Sequence, residues 1–135
     1  MHAAPSIRIA AALIEDEARR LLLVRKAGTR FFMQAGGKIE AGEDPATALC
    51  REPHEEIGLS VAQADLKLLG RFSAEAANEP GHRVDAHVFH LRTEHVPILA
   101  AEIVEALWAE PAQARSLPLA PLTRDHILPR MRDRA

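Results

Sequence analysis

Short apolar runs alternate with polar breaks along most of this chain, and one central segment changes to a helical period. Ile7 to Ile14 reads as a strand. Glu15 to Ala18 is a polar turn, and Arg20 to Arg25 carries the run Leu21-Leu22-Leu23-Val24. That run is too short for a helix between such neighbours, so it predicts a buried strand, paired with the first as a hairpin. Lys26 to Arg30 is a loop, Phe31-Phe32-Met33 is apolar, and Gly36-Gly37 is expected to break regular structure. Leu66 to Phe72 and Arg83 to Leu91 read as strands joined by a loop over Ala76 to Gly81. Ile103 to Ala109 is a further apolar segment containing Trp108. The tail, rich in proline, predicts loops and short helical turns, with a helix near Thr123 to Leu128.

Between these strands Asp44 and Pro45 signal a helix start, because Asp caps free amides and Pro suits the first helical position. The helix is predicted over Pro45 to Ile57, ending at Gly58. Leu49, Pro53 and Ile57 recur at i, i+4 and i+8 and form its apolar stripe. Glu52, Glu55 and Glu56 stand at i, i+3 and i+4, which puts three carboxylates on one face. Such a face is ordinarily just solvated. Its like charges repel, and hard carboxylate oxygens suit Mg²⁺ or Mn²⁺. Strands on both sides of one strong helix predict an α/β fold with a mixed sheet.

The remaining bulk properties narrow the picture. A chain of 135 residues, 47% hydrophobic and 27% charged, suits one globular domain over residues 1–135. A net charge of -2 argues against a broad surface for a nucleic-acid polymer or a membrane. No secretory signal and no apolar run of membrane length is visible, and Cys50 is the single cysteine, so a cytoplasmic location is expected. His82, His87, His90 and His95 share no zinc-like spacing with cysteine and read as surface or sheet-face residues.

One stretch is far more specific. Gly37 is followed by five residues, Glu43, seven residues, then Arg51-Glu52-Pro53-His54-Glu55-Glu56-Ile57-Gly58-Leu59. At about 7% per position, a chance match of its seven fixed positions is on the order of 10⁻⁸ per start site. This stretch resembles the Nudix box, and the chain is similar to MutT-like Nudix hydrolases. The resemblance implies a Nudix-type α/β/α sandwich with a catalytic box helix. It implies metal binding by Glu52, Glu55 and Glu56, with Glu43 and Arg51 orienting the helix and its ligands. Gly37 would let its loop fold back over the helix. Glu55, Glu56, Arg51 and Glu102 are the candidate catalytic residues. Glu102, six residues before Trp108, is preferred over Glu105 as the extra ligand or base. Mg²⁺, with Mn²⁺ as its substitute, would polarise a diphosphate for attack by water.

The resemblance leaves several points open. Pro53 occupies an aliphatic position of the box. Inside a helix it removes the bond to the Leu49 carbonyl at a cost of about 3 kcal/mol and disturbs the geometry of Glu52. The helix either kinks and still places Glu52 or breaks there. In the second case the domain would hold a nucleotide, as a binding or sensor module, with impaired catalysis. For the substrate, the absence of tyrosine speaks against the dinucleoside-polyphosphate type. Ala74 stands where ADP-ribose hydrolases tend to carry proline. A small nucleotide-like substrate remains, in the MutT-like manner a nucleoside triphosphate cut to monophosphate and diphosphate. Gly37, Lys38 and Arg30 are candidate substrate contacts, Arg71 a further phosphate contact, and Phe31, Phe32 or Trp108 candidate base platforms. Homodimerisation is left open.

Overall fold

The computed structural model describes residues 5–133. Among the described residues seven strands form one mixed sheet: β1 (Ser6–Glu15), β2 (Leu21–Lys26), β3 (Phe32–Met33), β4 (Gly36–Lys38), β5 (Lys67–Glu75), β6 (Arg83–Arg92) and β7 (Ile103–Ala109). The long helix α1 (Pro45–Ile57) lies between β4 and β5 in sequence. The tail contributes α2 (Pro111–Ala114), a wide π-helical turn (Thr123–Ile127) and α3 (Leu128–Asp133). Among the described residues no helix is long and apolar enough to cross a membrane.

The central strand is β1, and the expected hairpin with β2 is present but confined to its turn end. Strand β1 runs parallel to β6 from Ser6↔Arg83 to Glu15↔Arg92. On its other edge β4 pairs with Ile9, Ala10 and Ala11, while β2 meets it only at Glu15↔Leu21. The rest of β2 pairs antiparallel with β7. The sheet therefore forks along that edge of β1. Gly36 and Gly37, expected to end regular structure, instead form β4. Without a side chain at Gly36 the strand can lie close against β1: a Cβ there would stand 2.2 Å from the Ala10 carbonyl oxygen.

Both faces of the sheet are covered, which explains why β1 and β2 carry continuous apolar runs rather than clean alternation. Ala10, Ala12, Ile14, Leu22 and Val24 pack toward α1 through Ala48, Leu49 and Ile57. Ala11, Leu13, Leu21 and Leu23 pack toward the tail through Leu122, Ile127, Leu128 and Met131. These two packed faces make the α/β/α sandwich. The helix predicted near Thr123 to Leu128 is thus the π-helical turn running into α3.

Helix α1 begins and ends as its sequence requires. The Asp44 side chain accepts from Thr47 N–H at 2.8 Å, and Gly58 closes the helix at φ 71°. The helix continues through Pro53 without a break. Pro53 is buried with Leu49 and Ile57 on the sheet-facing stripe.

Candidate active site

The loop before α1 is pinned to the helix by one arginine. Arg51 Nε and Nη2 donate to the two oxygens of Glu43 at 3.0 and 2.9 Å. Such a bidentate pair is directional as well as charge-assisted. Arg51 also reaches the Lys38 carbonyl at 3.2 Å and Glu52 Oε1 at 2.8 Å. Arg51, with the Glu40 amide, holds the Glu43 carboxyl down at about 2. Arg51 therefore joins the β4 loop, the Glu43 turn and the Glu52 carboxylate into one unit.

The three helix glutamates do not share one environment. Glu55 faces solvent, with Arg51 3.8 Å away. Glu52 is partly covered, and its carboxylate lies against Gly37, where a Cβ would come within 2.6 Å. Glu56 turns inward, is buried at 6% exposure, and accepts from Gly36 N–H at 3.0 Å. Burial pushes the Glu56 carboxyl up to about 7, opposed by the Gly36 amide and Lys26; the charges of Glu52 and Glu102 push the same way as burial. An evenly solvated acidic face, the simplest expectation, is therefore replaced by one outward and two inward carboxylates.

The structure separates the two later candidates. Glu105 is tied to Arg25 at 2.9 Å. Glu102 stands just before β7, and its charge is felt at Glu56. Its carbonyl accepts from Ala27 N–H at 2.8 Å, which fixes that corner beside the end of β2. The β2–β7 register shifts between Arg25 and Lys26, pairing them with Glu105 and Ile103. A bulge of this kind commonly re-aims side chains beside a site.

A cavity of about 140 Å³ opens next to these carboxylates. Its lining includes Gly36 and Gly37, which touch Glu56 and Glu52 respectively, together with Lys26 and Lys38. Lys26 and Gln34 of this lining were not picked out by motif reading. The signal for Gln34 was its polarity within the apolar stretch Phe31 to Ala35.

Several expected contacts are not brought here. Arg30 sits over the Phe31 ring, 4.9 Å from its centroid, in a separate groove with Arg115 and Arg124. Arg71 is committed to Asp85 through bonds of 2.7 and 2.5 Å. Phe31, Phe32 and Trp108 do not line the cavity; Phe32 is core, and Trp108 donates to the His95 carbonyl at 3.3 Å. Of the histidines expected on the surface or a sheet face, His90 lies on β6 and His95 is tied to the backbone. His90 meets buried Glu15 at 2.5 Å, and His95 Nε2 contacts the Ile57 carbonyl at 2.8 Å. Cys50 is half-buried on α1, and burial raises its thiol pKa, as suits a small packing residue.

The donor chemistry suits a hard divalent cation. Glu52, Glu56 and Glu102 place like charge together, and a cation would relieve that repulsion. Among the described residues, no three His, Cys, Asp or Glu side chains are already gathered at metal-holding spacing.

The fold is one that known proteins share. The NUDIX domain family matches residues 5–131. The chain is 32% identical over 119 residues to the CTP pyrophosphohydrolase of Escherichia coli (strain K12), covering 85% of this chain and 84% of that one. The solution structure of the E. coli ORF135 protein has a TM-score of 0.75 at 28% identity, covering 97% of this chain and 92% of that chain. The crystal structure of MutT protein from Methanosarcina mazei Go1 shares the fold, with a TM-score of 0.79 at 21% identity over 99% of this chain and 98% of that one. The chain belongs to the NUDIX domain family and is a MutT-like Nudix pyrophosphohydrolase.

Proposed function

We propose that this enzyme hydrolyses a nucleoside triphosphate to a nucleoside monophosphate and diphosphate, with Mg²⁺ or Mn²⁺ as cofactor. The observation that carries this reading is the placement of Glu52 and Glu56 directly behind the two glycines of a cavity that also presents Lys26 and Lys38. Acid behind and cation in front is the arrangement a metal–diphosphate complex needs. The E. coli relative, a CTP pyrophosphohydrolase, favours a nucleoside triphosphate over other diphosphates.

Glu52, Glu55 and Glu56 would hold the metal, Glu55 by turning in from solvent. When bound, the metal neutralises the diphosphate and polarises the bond to be cut. Arg51, itself clamped by Glu43, positions Glu52. Lys26 and Lys38 bind phosphate oxygens, and Gly37 leaves room for Glu52 and the substrate to approach. Glu102 takes the proton of the attacking water. The water oxygen bonds to phosphorus, and diphosphate leaves.

The test is incubation with Mg²⁺ and a panel of nucleoside triphosphates, oxidised nucleotides, nucleotide sugars and ADP-ribose, with products identified by mass. Cleavage between the α and β phosphates, lost in Glu56→Gln, is the expected result. Nucleotide binding without turnover on any member would make the chain a binding domain instead.

A further inference from the structure

A second groove lies between the loop before β3 and the tail, and it shares no lining residue with the cavity beside the glutamates. Three arginines from separate parts of the chain converge on it: Arg30 from that loop, Arg115 from the end of α2 and Arg124 from the π-helical turn. Between them lie the apolar side chains of Phe31, Leu117, Leu119 and Leu128. One wall is fixed to the sheet. Phe32 N–H donates to the Pro118 carbonyl at 2.8 Å, and Ala120 N–H donates to the Phe32 carbonyl at 2.9 Å. The groove is therefore formed before any ligand arrives, which lowers the ordering cost of binding. Its volume of about 570 Å³ is that of a small-molecule site.

Exposed arginines are ordinarily solvated or paired with acids. Arg20, Arg25, Arg51 and Arg71 each face a carboxylate. In the groove Arg124 does so too, through Asp125 at 2.8 and 3.0 Å. Arg30 is held over the Phe31 ring, 4.9 Å from its centroid. Among the described residues neither Arg30 nor Arg115 has a carboxylate partner. Two guanidinium charges thus stand unanswered around an apolar floor, on a chain whose net charge is -2.

A phosphate ester answers both features. Its phosphate carries about -1.5 to -2 at neutral pH, against one charge for a carboxylate. Its oxygens match the fork of guanidinium donors. Its organic part would cover the leucines and Phe31. A peptide long enough to bring two carboxylates would outgrow a groove of this volume. We propose that the groove is a second ligand site, separate from the catalytic one, for a small phosphate ester with an apolar body. The phosphate lies on Arg30 and Arg115, and the body lies on Phe31, Leu117 and Leu128. The proposal does not depend on which substrate the enzyme hydrolyses.

The experiment follows the amide NMR signals of the isotope-labelled full chain in EDTA. The probes are naphthyl phosphate, naphthoate, inorganic phosphate and an oligoglutamate peptide. Naphthyl phosphate should shift the amides of Phe31, Leu117 and Leu119 saturably, and bind about tenfold more tightly than inorganic phosphate, which has no apolar body. Arg30→Gln and Arg115→Gln should each weaken it about fivefold. Arg8→Gln removes an exposed arginine outside the groove and should leave the affinity unchanged. Shifts confined to Gly36, Gly37 and Lys38 would overturn the proposal, because the probe would then sit in the catalytic cavity. So would equal or tighter binding of naphthoate or of the peptide. Wild-type affinity in both groove variants, or the same loss in Arg8→Gln, would reduce the effect to general surface charge and overturn it as well.

Discussion

At the scale of single residues, adjacent glycines are required for different reasons. Gly36 has φ 145°, and a Cβ there would strike the Ala10 carbonyl oxygen at 2.2 Å, backbone against backbone. Gly37 would place its Cβ 2.6 Å from the Glu52 carboxyl carbon, the far end of a flexible side chain. The two alanine variants should therefore separate stability from activity. Gly36→Ala is expected to destabilise the fold by about 3 kcal/mol. Gly37→Ala should cost under about 1 kcal/mol yet raise the Mg²⁺ concentration needed for turnover, because Glu52 must move. Chemical denaturation and a Mg²⁺ titration of rate read the two effects. Equal stability losses would show that the Glu52 carboxylate cannot give way.

At the scale of elements, α1 depends on both its interior and its tether. Pro53 leaves the helix continuous but removes an amide donor to Leu49. Pro53→Leu should stabilise the protein by about 1–3 kcal/mol, the helix gain less the cost of fitting a larger buried side chain. It should also tighten Mg²⁺ dependence, since Glu52 precedes it. An unchanged urea midpoint and unchanged Mg²⁺ dependence would mean the helix already absorbs the proline. The tether responds to acid. Glu43 is held at about 2 in the fold, against an ordinary value of 4.5, by its bond to Arg51. Because the folded value is the lower one, this contribution is fully present above pH 4.5 and is lost as pH falls toward 2. Glu43→Gln should therefore flatten the fall of melting temperature between neutral pH and pH 3. A variant that loses stability with acid as steeply as wild type would remove this role.

At the scale of the molecule, the site occupies the fork where β4 and β2 take different stretches of one β1 edge. The sheet brings together residues far apart in sequence: Lys26 from β2, Gly36 and Gly37 from β4, Glu56 from α1 and Glu102 from the approach to β7. Their negative charges repel within a fold already complete. Mg²⁺ should raise the melting temperature, by about 2.7 kcal/mol of stability at a hundredfold excess over its Kd. EDTA should abolish turnover while leaving the protein folded. No shift with Mg²⁺, seen beside intact turnover, would show that the metal arrives only with substrate.

The local chemistry was written along the chain. Asp44, Pro45 and Gly58 set the ends of α1, the 3.6-residue period set its buried stripe, and the box spacing placed Glu43, Arg51 and Glu52 in one unit. These features act over a few residues, so order along the chain determines them. What only the tertiary structure decided is which distant pieces meet. A strand pattern states that an edge needs a partner but does not name it, so β1 pairs along its length with β6 and meets β2 only at Glu15↔Leu21. Charge alone does not say which arginine is already paired, so Arg71 went to Asp85 and Arg30 to another groove, while Lys26 stayed at the cavity. The same holds for Gln34, one polar residue in an apolar stretch until Thr123, 89 positions later, took its oxygen and left its nitrogen without a partner among the described residues.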